Sequence, residues 1–242
     1  MSVITPSNVL SDVVLRNVSL ISVLNRFGIP LGLGNATVAE VCAENGIDLR
    51  FFLFVVASYL DPAFSGSLTL TKEHIRLTAD YLERTNRYYL ETQVPNIRIH
   101  VTSLLKRNSS DKAVSDHIIL ILQEMESAVS AHVKRDEVEL FPKLRMLLDG
   151  EEVRIDDWTV GQSEMSGSGV ADFGGVMSIV EDLMQILIRY IRGSFDANLL
   201  HGVIVSLEAF RNDLSGNSRL RNNVFFPMMN ALLGRLGESK KE

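Results

Sequence analysis

His132 and Asp136 stand four residues apart, which puts an imidazole and a carboxylate on one face of a helix. At that spacing two side chains can share a metal ion. The stretch that carries them ends in Phe141-Pro142, and the same frame recurs at Gly216 to Pro227, which ends in Phe226-Pro227. Aligning the two Phe-Pro pairs gives an offset of 85 residues that carries His132 onto Asn217 and Asp136 onto Arg221. The second copy thus has the geometry of a ligand pair with different chemistry. A guanidinium has no lone pair for a metal and keeps its proton at physiological pH.

The elements that must position these residues read as helices throughout. Residues 9–60 form short helices: one from Val9-Leu10 through Leu24, stopped by Phe27-Gly28-Ile29-Pro30, then Val38 to Glu44 capped by Thr37, then Leu49 to Leu60 capped by Asp48. Two short helices across a tight turn invite a DNA-binding reading. The would-be recognition helix, Arg50-Phe51-Phe52-Leu53-Phe54-Val55-Val56, offers base edges almost nothing, so a small packing domain over residues 1–62 is the expectation. Asp61 to Ser67 is the linker. Four long helices follow over 68–237: Thr71 to Gln93, ending at Pro95; a second after Asn108-Ser109-Ser110-Asp111, running to Leu148 with a bend at Pro142; Val176 to Arg192, broken at Gly193-Ser194; and Ala197 to Leu236, weakened at Gly216 and Pro227. A Gly-, Ser- and acid-rich loop over about 149–175 holds the only tryptophan, Trp158, read as tucked on the surface. With no strand pattern, the fold class is all-α, an antiparallel four-helix bundle of two similar hairpins behind a small helical N-terminal domain.

Composition sets the outer bounds. At 242 residues, 46% hydrophobic and 22% charged, the chain has the make-up of a soluble globular protein with a sizeable core. A net charge of −6 argues against a protein whose main task is to hold nucleic-acid phosphates. The single cysteine, Cys42, excludes an internal disulfide and cysteine-rich zinc sites, fits a reducing compartment and reads as a buried inert thiol. No signal-peptide pattern opens the chain, and the longest apolar run, Phe51 to Leu60, is too short to span a bilayer. A cytoplasmic protein is expected.

Four stretches carry a resemblance to a known family. They are Thr37 to Cys42 with Gly46-Ile47-Asp48, Asp80 to Leu90 leading to Pro95, His132 to Pro142, and Arg221-Asn222-Asn223-Val224-Phe225-Phe226-Pro227. Together, over roughly residues 9 to 235, the chain resembles the di-iron iron–sulfur-cluster repair proteins, the regulators of cell morphogenesis and nitric oxide signalling. The resemblance implies a hemerythrin-like bundle behind the small N-terminal domain. It also implies a ligand at each of several positions, and there this chain departs from the pattern. Arg87 and Glu181 (just ahead of Asp182) stand where the family has histidines, Asp136 stands for a glutamate beside the retained His132, and Asn217 and Arg221 replace a His and Glu pair. Gly32 and Leu33 occupy the place of the family's adjacent cysteines.

Two ligand positions have therefore become arginine, and a ferrous ion beside two guanidinium groups would be repelled. The substitutions nevertheless balance in charge. Arg87 and Arg221 against Asp136 and Glu181, with His132 and Asn217 as polar neighbours, could fill a former metal cavity as an ionic core. His74, His100, His117 and His201 have no partner ligand at helical spacing, and Glu137 and Glu139 point to other faces than Asp136. Tyr88-Tyr89 and Phe225-Phe226 read as packing residues.

The leading expectation is a non-enzymatic paralogue of the repair proteins with no cofactor, binding a protein partner or small ligand in redox or nitrosative stress. The alternative is a metalloprotein holding iron at His132, Asp136 and Glu181, which stores or donates it for cluster repair. A DNA-associated regulator using the N-terminal helices is a third reading. No membrane association is expected, and Phe51 to Val56 reads equally as a homodimer face or as a surface buried against the bundle.

Overall fold

The computed structural model describes residues 4–64, 71–107, 112–151, 173–191 and 196–239. Trp158, Gly193-Ser194 and most of the expected loop over 149–175 lie outside the described residues. Among those described the chain is all-helical, with no strand and one isolated bridge between Val9 and Thr37. None of these helices is long and apolar enough to cross a membrane.

Four short helices come first: α1 (Leu10–Arg16), α2 (Leu20–Phe27), α3 (Val38–Glu44) and α4 (Leu49–Leu60). The single helix expected over Val9 to Leu24 is two, parted at Asn17, whose side-chain amide donates to the Val13 carbonyl and draws the backbone out of register. Gly28 ends α2 in the left-handed conformation that glycine adopts without strain. Thr37 and Glu40 cap α3 reciprocally, and Asp48 accepts from the Phe51 amide to cap α4.

Three of the four long segments are interrupted in the same way. α5 (Lys72–Tyr88) runs through a π turn (Tyr89–Gln93) into α6 (Val94–Arg107); α7 (Lys112–Arg135) runs through a π turn (Asp136–Leu140) into α8 (Phe141–Leu148). α9 (Gly174–Arg189) is uninterrupted, and α10 (Ala197–Leu220) passes through a π turn (Arg221–Phe225) into α11 (Phe226–Ser239). Each π turn is followed by a proline at the second position of the next helix: Pro95, Pro142 and Pro227. Proline has no N–H to donate and its ring collides with the carbonyl four residues back. The residue just ahead of each proline instead donates five residues back, Val94 to Tyr89, Phe141 to Asp136 and Phe226 to Arg221. Pro95 therefore does not end the first long helix. It re-registers the helix and lets it continue.

The interior is divided into two apolar clusters. One joins α1–α4 to the first half of α5, to α8 and to α11, through residues such as Leu24, Phe52, Leu82, Phe141 and Phe225. The other lies among α6, α7, α9 and α10, through Val101, Met125, Leu183 and Leu207. The N-terminal helices share their core with the long segments, so the apolar interior does not part at residue 62. Phe51, Phe52, Phe54, Val55 and Val56 are all buried in the first cluster, so that stretch is not available as a dimer face.

Candidate functional site

Between the two clusters lies a layer of buried polar side chains: Thr85, Asn86, His132, Asp136, Asp213, Asn217, Ser218 and Arg221. On α5, on α7 and on α10 the change from one cluster to the other falls at the π turn or within the turn of helix before it. The prolines account for this shared level. Counting back ten residues from each gives Thr85, His132 and Asn217; counting back six gives Tyr89, Asp136 and Arg221. All six are buried, because every π turn is set at the same distance from its proline and every preceding turn of helix then presents the same face inward.

The centre of the layer is the pair Asp136 and Arg221, related by the offset of 85 residues and facing one another across the interior. Arg221 Nη1 donates to Asp136 Oδ2 at 2.7 Å and Nη2 to Oδ1 at 2.9 Å, a two-pronged ion pair with both side chains 1% exposed. Asn86 Nδ2 donates to Oδ2 at 2.8 Å. Burial alone would raise the Asp136 carboxyl, but Arg221, helped by His132, outweighs it and holds the group well below the usual carboxylate range. The Arg221 guanidinium also lies 5.6 Å from the Phe226 ring centroid.

His132 sits beside this pair. Its ring stacks on Phe173 with centroids 3.8 Å apart, and Arg135 Nη2 lies 3.3 Å from its Nδ1. Guanidinium can only donate, so Nδ1 accepts and the proton of the neutral ring is on Nε2. Nε2 lies 3.4 Å from Asp136 Oδ2 but outside hydrogen-bonding geometry, which makes it a polar neighbour and not a bonded partner. Burial lowers the His132 pKa and Arg221 adds to that, while Asp136 opposes it only in part, so the imidazole is neutral. Asn217 Nδ2 donates to the Tyr89 hydroxyl at 3.4 Å. Tyr89 is held edge-on by Phe173 and Phe210 at 5.5 and 5.4 Å.

Not all the residues expected in the ionic core reach it. Arg87 is exposed on α5, where its neighbour Asn86 faces inward instead. Glu181 is exposed on α9 and lies 3.4 Å from Arg211. The family register put Arg87 on the inward face of α5, whereas the structure turns Thr85 and Asn86 inward and leaves Arg87 outside. The same proline count that relates Asp136 to Arg221 picks out Tyr89 and Thr85, and it was legible in the sequence. His74 caps α5 with Thr71, His100 contacts Ser206, and His117 and His201 are exposed.

A second buried ion pair carried no sequence signal of its own. Arg26 on α2 reaches Asp213 on α10 through both nitrogens at 2.7 Å, and Ser22 donates to Asp213 Oδ1 at 2.8 Å. The guanidinium lies 5.1, 5.4 and 5.6 Å from the ring centroids of Tyr59, Tyr81 and Tyr88. Burial disfavours the Arg26 charge, but Asp213 overcomes this and raises its pKa, while burial pushes Tyr81 up to about 12. Arg219 on α10 donates to the Ser58 and Tyr59 carbonyls at 2.8 and 3.0 Å and so satisfies the last turn of α4. Between these contacts Gly216 lets the Tyr59 ring lie against α10: a Cβ there would be 2.3 Å from Tyr59 Cδ1.

The residues can be tested against a di-iron centre. Both Asp136 oxygens already accept from a guanidinium, and the imidazole presents a protonated nitrogen to them. Among the described residues no three His, Cys, Asp or Glu side chains converge. This donor set does not fit a metal centre. No family model and no curated protein sequence matches the chain.

Proposed function

We propose that this chain is a non-catalytic relative of the iron–sulfur-cluster repair proteins. Its long helices are read as a hemerythrin-like four-helix bundle, with an Arg–carboxylate pair where the di-iron centre of that family would be held. It would act by binding a protein partner or a small ligand in redox or nitrosative stress, a setting that rests on the sequence resemblance alone. One observation carries the reading. Residues related by the internal offset, Asp136 and Arg221, meet in a buried two-pronged ion pair at the level where inward-facing residues of such a bundle would hold metal. Arginine supplies the positive charge that a buried carboxylate would otherwise obtain from a cation.

The test is metal analysis of the protein expressed in iron-rich medium and purified without chelator. The expected result is iron far below one equivalent per chain and no charge-transfer absorption. One or more irons per chain, with an absorption band lost in His132→Ala, would establish the iron-storing or iron-donating alternative.

A further inference from the structure

The two buried ion pairs are joined by one face of one helix. Asp213, Asn217 and Arg221 follow one another at intervals of four residues along α10 and into its π turn, and all three are buried. At one end Asp213 holds Arg26, which belongs to the N-terminal helices. At the other end Arg221 holds Asp136 at the second π turn. Between them Asn217 donates to the Tyr89 hydroxyl, which burial and the nearby Asp213 charge raise well above the ordinary phenol pKa. The row spans about 12 Å at the rise of an α-helix.

We propose that Asp213, Asn217 and Arg221 form a relay that couples the seating of the N-terminal helices to the state of the polar layer at the π turns. The physical basis is that neither ion pair can be opened alone at low cost. Withdrawing Arg26 leaves Asp213 as a buried carboxylate with Ser22 as its remaining hydrogen-bond donor among the described residues, which draws the nearby Tyr89 hydroxyl, already under the influence of the Asp213 charge, away from Asn217. Asn217 Oδ1 has no partner among the described residues, so nothing there holds its amide when Tyr89 moves. Its neighbours one turn away on the same face are then the ion pairs themselves. A ligand or partner that engages either end would thereby be felt at the other, as a free-energy coupling between two sites. This inference stands on the contacts along α10 and does not depend on the family reading.

A double-mutant cycle on the full chain tests it. Arg26→Met and Asp136→Asn are made singly and together, and unfolding constants are measured in urea. Expected is a departure from multiplicative behaviour of about fivefold or more, although the two residues share no contact. The same cycle is repeated in an Asn217→Leu background, where the departure should fall below about twofold. A control cycle of Arg26→Met with Leu122→Ala, in the second apolar cluster and off the row, should be multiplicative throughout. If Asp136→Asn does not fold, Asn86→Ala replaces it, since it removes one donor to Asp136 and leaves the ion pair. Multiplicative behaviour of the first cycle overturns the proposal. So does coupling that persists undiminished with Asn217→Leu, which would route it through α5 and the tyrosines around Arg26.

Discussion

His132 is the residue whose burial has the most direct consequence for behaviour in solution. It is 4% exposed, neutral, stacked on Phe173 and next to Arg221, and its pKa is lowered from the ordinary value chiefly by burial. The unfolded chain therefore takes up a proton near pH 6.5 that the folded chain refuses. Where the unfolded state binds more protons, stability rises with pH. The contribution of His132 is complete above about pH 6.5 and is lost as the pH falls below it towards the folded value. Urea melts at pH 7.5 and pH 5.5 should show a drop in stability for the native chain. His132→Phe, which preserves the stack, should remove the part of that drop due to this residue. An equal drop in both proteins would assign the pH dependence to other groups. Asp136 is depressed as well, so its contribution is complete above the usual carboxylate range and is lost progressively as the pH falls through and below that range towards the folded value.

At the scale of elements, the contact between α4 and α10 depends on the absence of one side chain. Glycine inside a helix costs about 1 kcal/mol relative to alanine, so Gly216→Ala on propensity alone would stabilise. Its Cβ would instead lie 2.3 Å from the Tyr59 ring. That ring packs against the Arg26 guanidinium, and the neighbouring carbonyls are held by Arg219, so it cannot swing aside freely. Overpacking of this kind costs about 1–3 kcal/mol. Gly216→Ala should therefore lower the urea midpoint, and Tyr59→Leu in the same chain should reduce the penalty. A stabilised Gly216→Ala would show that α4 shifts without cost. The prolines act at this scale too, for each sets a π turn that turns polar side chains inward at one common level.

For the whole molecule, the two apolar clusters and the polar layer between them decide what can fold alone. Leu140, Phe141, Leu144, Leu220 and Phe225 are buried in the cluster that the N-terminal helices complete. Arginine contacts reinforce that junction from both sides, the buried Arg26 reaching into α10 and the half-buried Arg219 reaching back to α4. A chain that begins at residue 71 would expose this apolar surface and leave Asp213 without its cation. It should bind a hydrophobic dye such as ANS strongly and melt without a sharp transition. A cooperative melt with little dye binding would mean that the long segments are a self-sufficient domain.

Much of this could be read from residue order. Helical periodicity, the Thr37 and Asp48 caps and the glycine stop at Gly28 are local matters of hydrogen bonding and backbone freedom, and local chemistry is written in neighbouring residues. The recurrence of Phe-Pro at an interval of 85 residues likewise brought out Asp136 with Arg221, and His132 with Asn217. What residue order did not disclose depends on how helices are rotated against one another. Arg87 and Glu181 lie on solvent faces, Arg87 because Thr85, Asn86 and Tyr89 take the inward positions around it and Glu181 because α9 turns Val180 and Leu183 inward, so a register carried over by resemblance points the wrong side chain inward. Arg26 and Asp213 are 187 positions apart, and nothing local marks either as buried. Only the packing of α2 and α4 on α10 removes both from water, and that removal forces them to pair.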